Sequence, residues 1–123
     1  VIESKSKKES YFEDGYTGAK KLLEKDPDID GIIVAADMHG IGVIRYLKEQ
    51  KIAIPDQIKV MSLTGHSIGG MLETAMTSVE LPSQEIGELI TKSIVKDIEA
   101  PKNVKRIPVH QELGVSLVER ETT

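Results

Sequence analysis

The sequence predicts an α/β fold built as a three-layer parallel sheet, and three observations point to it. Gly31 to Ala36 (GIIVAA) is a short, unbroken apolar run, the pattern of a strand buried on both faces of a parallel sheet. Ile58 to Leu63 is a second such run, and the stretch between the two has helical periodicity, so strand, helix and strand follow one another as a βαβ unit. Only 3% of the residues are aromatic. A core of Ile, Val, Leu and Ala suits helices packed on a sheet better than an aromatic-rich sandwich.

The elements can be justified in order. Ser10-Tyr11-Phe12-Glu13 has the spacing of a capping box and opens a first helix. Phe12, Tyr16, Ala19, Leu22 and Leu23 recur along it at helical spacing, which makes Phe12 a core candidate, and Asp26-Pro27 ends it. After the GIIVAA strand, Asp37 is expected to cap a second helix over residues 38–50, with Ile41, Ile44 and Leu47 on one side and Arg45, Lys48 and Glu49 on another. The second buried strand, Ile58 to Leu63, follows Pro55. Met76 to Leu81 reads as a further strand, and Ser83 as the N-cap of a third helix. In that helix Ile86, Ile90, Ile94 and Ile98 form one apolar row at four-residue spacing. Burying the row would contribute roughly 6–12 kcal/mol, so something must cover it. A β-rich segment from Lys105 to Glu119 closes the chain ahead of a polar end.

Length and charge exclude several classes. The 123 residues suffice for one domain with a modest core. The net charge of −4 is spread along the chain, and the basic cluster Lys5-Ser6-Lys7-Lys8 is followed at once by Glu9, which is no footprint for DNA. With no Cys there are no disulfides, thiol nucleophiles or Cys-based zinc sites. No apolar run approaches the roughly 20 residues of a membrane span. The chain opens on Val1-Ile2-Glu3 without Met, so a cut-away start is expected and a missing signal peptide is uninformative.

One stretch carries a chemical suggestion. Gly65-His66-Ser67-Ile68-Gly69 matches G-x-S-x-G, the nucleophile elbow of α/β-hydrolases, and Asp97 and His110 follow it in the order of a triad. That fold needs a larger sheet, an upstream oxyanion loop and usually twice this length, so a serine hydrolase is the least favoured reading. A phosphate cradle from Thr64, Gly65, Ser67, Gly69 and Gly70 is a second reading, lacking the P-loop lysine. A flexible glycine-rich loop is the plainest. His39, His66 and His110 lack metal-ligand spacing, so no metal site is expected. Ligands of parallel sheets bind beyond the carboxyl ends of the strands, which singles out Asp37 and Thr64, with His66 beside them as a possible donor.

Taken together, Asp14-Gly15-Tyr16, IIVAAD followed by a helix containing Gly42, Ile54-Pro55-Asp56-Gln57-Ile58-Lys59-Val60, Met76-Thr77-Ser78-Val79 and the ending VSLVERETT resemble the regulatory domain of the lactose-repressor (LacI/GalR) family of transcription regulators. The resemblance spans nearly the whole chain. It implies the C-terminal lobe of a type I periplasmic-binding-protein-like fold: residues 1–80 in that lobe, 81–112 returning to an N-terminal lobe that is mostly absent, and 113–123 coming back. Val1 would then lie close to where the chain enters the second lobe. The isoleucine-rich helix would have lost the sheet it covers, and is expected to be displaced, covered by a neighbour, or docked on a lobe supplied separately.

The function so implied is that of an effector-binding part of a cytoplasmic regulator, a repressor by the family's habit. It would sense a sugar or sugar phosphate, act as a homodimer, and bind operator DNA through an N-terminal domain absent here. It implies no enzyme activity, cofactor or membrane. An exported sugar-binding protein of a transport system is the alternative. The effector would meet Asp37, Thr64, His66 and Tyr11, the last against a sugar's apolar face, together with Ala36 and Leu81. At Ala36, Thr64 and Leu81 the family's polar anchors (commonly Asn, Asp and another polar residue) are replaced. The TGHSIGGMLET loop resembles that of disaccharide-utilisation regulators such as those for sucrose. Ile41, Met71 and Leu72 match the family's dimer contacts, and Met71 and Leu72 are also apolar residues in an otherwise polar loop.

Overall fold

The computed structural model describes residues 10–65, 67–101 and 110–123. In order, these form α1 (Tyr11–Lys25), β1 (Gly31–Val34), α2 (Asp37–Glu49), β2 (Lys59–Gly65), a 3₁₀ turn η1 (Ser67–Met71), β3 (Thr77–Glu80), α3 (Ser83–Glu99) and β4 (Ser116–Val118). The chain divides into two compact units, Val1–Glu80 with Ser116–Thr123, and Leu81–Val115.

The first unit is an α/β sheet in the order β1-β2-β3-β4. β1, β2 and β3 are parallel, and β4 runs antiparallel to β3, so the expected parallel sheet is a mixed one. Alternation decides its faces. Ile32, Val34 and Val60 turn into a core shared with Val43, Ile44 and Leu47 of α2, Ala19 of α1, and Ile58 and Met76. On the opposite face Ile33 and Leu63 are exposed.

α1 begins as the capping box predicts: Ser10 is the N-cap and its Oγ accepts the Glu13 N–H. Its buried positions are Gly15 and Ala19, whereas Phe12 is only half-buried and lies over Tyr16 with ring centroids 6.5 Å apart. The core claims the small residues because α1 packs directly along α2, leaving no room for a ring. α2 is capped by Ala36 without a side-chain bond, so Asp37 is not the expected cap but the first helical residue, 3% exposed. A carboxylate there meets the positive end of the helix dipole.

β2 runs on to Gly65, two residues beyond the predicted strand, because Ser62 and Gly65 both find register partners in β3 across a bulge. Of the described residues between β2 and β3, Ser67–Met71 form a 3₁₀ turn. Its Gly69 carbonyl accepts the Met76 N–H at 2.9 Å.

The polar end of the chain is built into the sheet. Thr122 is fully buried: it donates its hydroxyl to the Val60 carbonyl (2.7 Å) and accepts the Thr77 N–H (2.9 Å), while its own carbonyl accepts the Val60 N–H (2.9 Å). It therefore bridges β2 and β3. Of the β-rich segment predicted from Lys105, residues 105–109 lie outside the described residues, and 110–115 form no strand before β4.

The second unit contains α3, capped by Pro82 rather than Ser83. No residue of α3 is buried, and Ile90, Ile94 and Ile98 are each more than half exposed. The apolar row lies on α3 as the spacing predicts; Ile86 is half-buried and the other three isoleucines are exposed.

Candidate functional site

The carboxyl ends of β1 and β2 lie side by side, and Thr64 ties them together. Its hydroxyl donates to the Ala35 carbonyl just beyond β1. The donor is thereby used inside the protein, and what Thr64 offers outward is oxygen lone pairs, an acceptor rather than a donor. Ala36 follows Ala35, half-buried and without polar atoms in its side chain.

Asp37 comes next. Its carboxylate lies beside η1, with Oδ2 3.7 Å from where a Cβ on Gly69 would stand. Tyr11 occupies the first turn of α1, 66% exposed, with its ring tilted against the His39 imidazole at a centroid distance of 5.1 Å. His39 Nδ1 is buried and has no hydrogen-bond partner among the described residues. The site candidates described are thus Tyr11 in the first turn of α1, Ala36 and Asp37 at the start of α2, and Thr64 near the end of β2.

The remaining expectations fall elsewhere. His66 lies outside the described residues. Leu81 opens the second unit, where its carbonyl accepts the Ser83 N–H at 2.8 Å. Ile41 is half-buried on α2, Leu72 packs partly against the core, and Met71 is 77% exposed.

The first glycine of the GHSIG stretch has a packing reason. A side chain at Gly65 would collide with Ser78 of β3. The close approach of β2 to β3 therefore accounts for one of the two glycines that made the stretch look like an elbow.

Arg120 is the residue that sequence reasoning passed over. Its Nη1 donates to the Met76 carbonyl (2.8 Å) and to Ser78 Oγ (2.9 Å), and Nη2 pairs with the Glu80 carboxylate. Its backbone N–H donates to Thr77 Oγ1 at 2.8 Å. A charged residue in a polar tail reads as solvated; the signal that was present is its place in VSLVERETT, a motif to which no contact could be assigned.

Two exposed carboxylates on the helical side of the unit are perturbed. The Tyr16 hydroxyl (2.6 Å to Oε2) and Arg45 hold the Glu49 carboxyl below its ordinary range, and the bond to Glu49 raises Tyr16 in turn. Lys48, 2.9 Å from Glu73, lowers that carboxyl. The first arrangement ties α1 to α2, and the second ties α2 to the segment that follows η1. Among the described residues no group of three or more His, Asp or Glu side chains is placed to hold a metal ion, and no helix is long and apolar enough to cross a membrane.

The match that decides the family covers almost all of the chain: residues 3–123 fit the periplasmic binding protein-like domain. The chain belongs to that family. Among periplasmic binding protein-like domains it stands with the effector domains of LacI/GalR-type regulators. It is 33% identical over 85% of its length to the ribose operon repressor of Halalkalibacterium halodurans, and 25% identical over 90% to the transcriptional regulator CelR of Thermobifida fusca. The solved complex of the regulator CelR with cellobiose superposes with a TM-score of 0.81 at 25% identity, over 91% of this chain and 33% of that one. The chain spans about a third of the length of these relatives, 30% and 32% for the two curated ones. These relatives are transcriptional regulators, which supports an effector-binding regulatory domain and lends nothing to the hydrolase reading of GHSIG.

Proposed function

We propose that residues 1–80 and 113–123 belong to the C-terminal lobe of a sugar-sensing domain, and that residues 81–112 pass through its N-terminal lobe. In the whole protein, a repressor, a sugar or sugar phosphate between the lobes favours one of two conformations that differ in affinity for operator DNA. The observation that carries this reading is the placing of Tyr11 in the first turn of α1, Ala36 and Asp37 at the start of α2 and Thr64 near the end of β2, in a chain whose likeness, CelR, was solved with cellobiose. An exposed tyrosine ring suits the apolar face of a sugar. Thr64, with its proton engaged by Ala35, accepts from a sugar hydroxyl.

Met71, exposed on η1, with Ile41 and Leu72, forms the homodimer contact. The isoleucine row of α3 is covered by the N-terminal lobe.

A thermal-shift panel on the intact protein tests the effector class. A ribose, glucoside or disaccharide, free or phosphorylated, should raise the melting temperature. A purine or amino acid raising it, with every sugar silent, would overturn the assignment.

A further inference from the structure

Both chain crossings leave from one rung of the sheet. Glu80 is the last residue of the first unit before Leu81 opens the second, and the chain re-enters at Ser116. In the antiparallel β3–β4 pair these two residues, Glu80 and Ser116, are register partners.

The Glu80 carboxylate is held by Arg120, in a pair whose side chains are only 31% and 17% exposed. The same guanidinium reaches back along β3 to Ser78 and to the Met76 carbonyl, and it also lies under η1. A Cβ on Gly70 would stand 3.3 Å from Arg120 Nε, and one on Gly69 3.8 Å from Nη1. The Met76 N–H in turn donates to Gly69. One planar group therefore touches the crossing rung, the length of β3 and the floor of the turn that carries Met71. A guanidinium engaged by three acceptors has a fixed plane, which a lysine ammonium lacks. Taking away its carboxylate leaves a poorly solvated charge that must find a new orientation.

We propose that Arg120 is a positioning residue that couples the crossing rung at Glu80 to the η1 turn, so that a change in the set of the crossings moves Met71 and Leu72. The regulatory meaning rests on the reading of those two residues as a dimer contact; the coupling itself does not.

The test is amide hydrogen exchange on the intact protein, read at Met76, whose N–H reports the seat of η1. Glu80→Gln should speed exchange at Met76 about tenfold, although Glu80 lies at the other end of β3. Arg120→Lys should do the same, and the double variant should do no more than Arg120→Lys alone. Glu80→Asp, which retains the charge, keeps the coupling testable should Glu80→Gln not fold, and should give a smaller change in the same direction. Changes confined to residues 79–82 and 115–117, or effects of the two single variants that simply add, would overturn the proposal. Sedimentation of a Met71→Glu variant separates the two readings. If the oligomeric state is unchanged while Glu80→Gln still exposes Met76, the coupling stands and the dimer contact falls.

Discussion

Gly15 in α1 and Gly42 in α2 sit where the two helices cross, each against the backbone of the other helix. A Cβ on Gly15 would come within 2.7 Å of the His39 carbonyl carbon, and one on Gly42 within 2.7 Å of the Tyr16 nitrogen. Backbone cannot step aside as the end of a long side chain can. Gly15→Ala or Gly42→Ala should therefore cost about 1–3 kcal/mol or more, read from urea unfolding of the intact protein. Gly18 in the same helix faces open space. Gly18→Ala should instead stabilise by up to about 1 kcal/mol through helix propensity, and an equal loss at Gly15 and Gly18 would show that the crossing is looser than described.

Thr122 tests whether the end of the chain is structural. Thr122→Val keeps the shape and strands the Val60 carbonyl and the Thr77 N–H in a fully buried place. The expected loss is about 1–3 kcal/mol, with Thr122→Ser recovering most of it. Denaturation curves for Val and Ser variants that coincide would remove the hydroxyl from the account.

The Tyr16–Glu49–Arg45 cluster gives a pH signature of opposite sign at each end. The Glu49 carboxyl is lowered in the folded chain, first by the Tyr16 hydroxyl and then by Arg45. Its contribution is present above the ordinary glutamate range and is lost as pH falls through the lowered value. Tyr16 is raised by the same bond, so its contribution is present below the ordinary tyrosine value and is lost as pH rises through the raised one. Carboxyl carbon NMR should show Glu49 titrating below an ordinary glutamate, and Tyr16→Phe should move it back upward. No movement in that variant would leave Arg45 as the cause.

Thr64 tests whether the hydroxyl at the end of β2 matters to the ligand. Thr64→Val loses both the bond to Ala35 and the outward lone pairs, while Thr64→Ser keeps both. Calorimetric titration with the sugar found by thermal shift should show affinity lower by about tenfold, or ~1.4 kcal/mol, for the Val variant and near normal for Ser. Equal affinity in all three proteins takes Thr64 out of the site.

The sequence by itself determined the elements. Apolar runs gave β1 and β2, periodicity gave α1, α2 and α3, and the capping box placed the start of α1, because these signals depend only on neighbours within a turn or two. The neighbourhood of the strand ends, and with it Thr64 and Asp37, was legible for the same reason, but not the ends themselves: β1 stops at Val34, short of the predicted Ala36, and β2 runs past the predicted Leu63 to Gly65. The GHSIG stretch misled because a five-residue pattern records composition without contacts, and Gly65 owes its place to Ser78, thirteen positions on. Only the tertiary structure decided the roles of Gly15 and Gly42, the direction of β4, and the work of Arg120 and Thr122. Each of these depends on a partner distant in sequence, Gly15 on His39, Arg120 on Glu80 and Thr122 on Val60. A polar tail has no periodicity to reveal which of its residues is solvated and which is buried: the fold makes that choice when it brings the tail against the sheet.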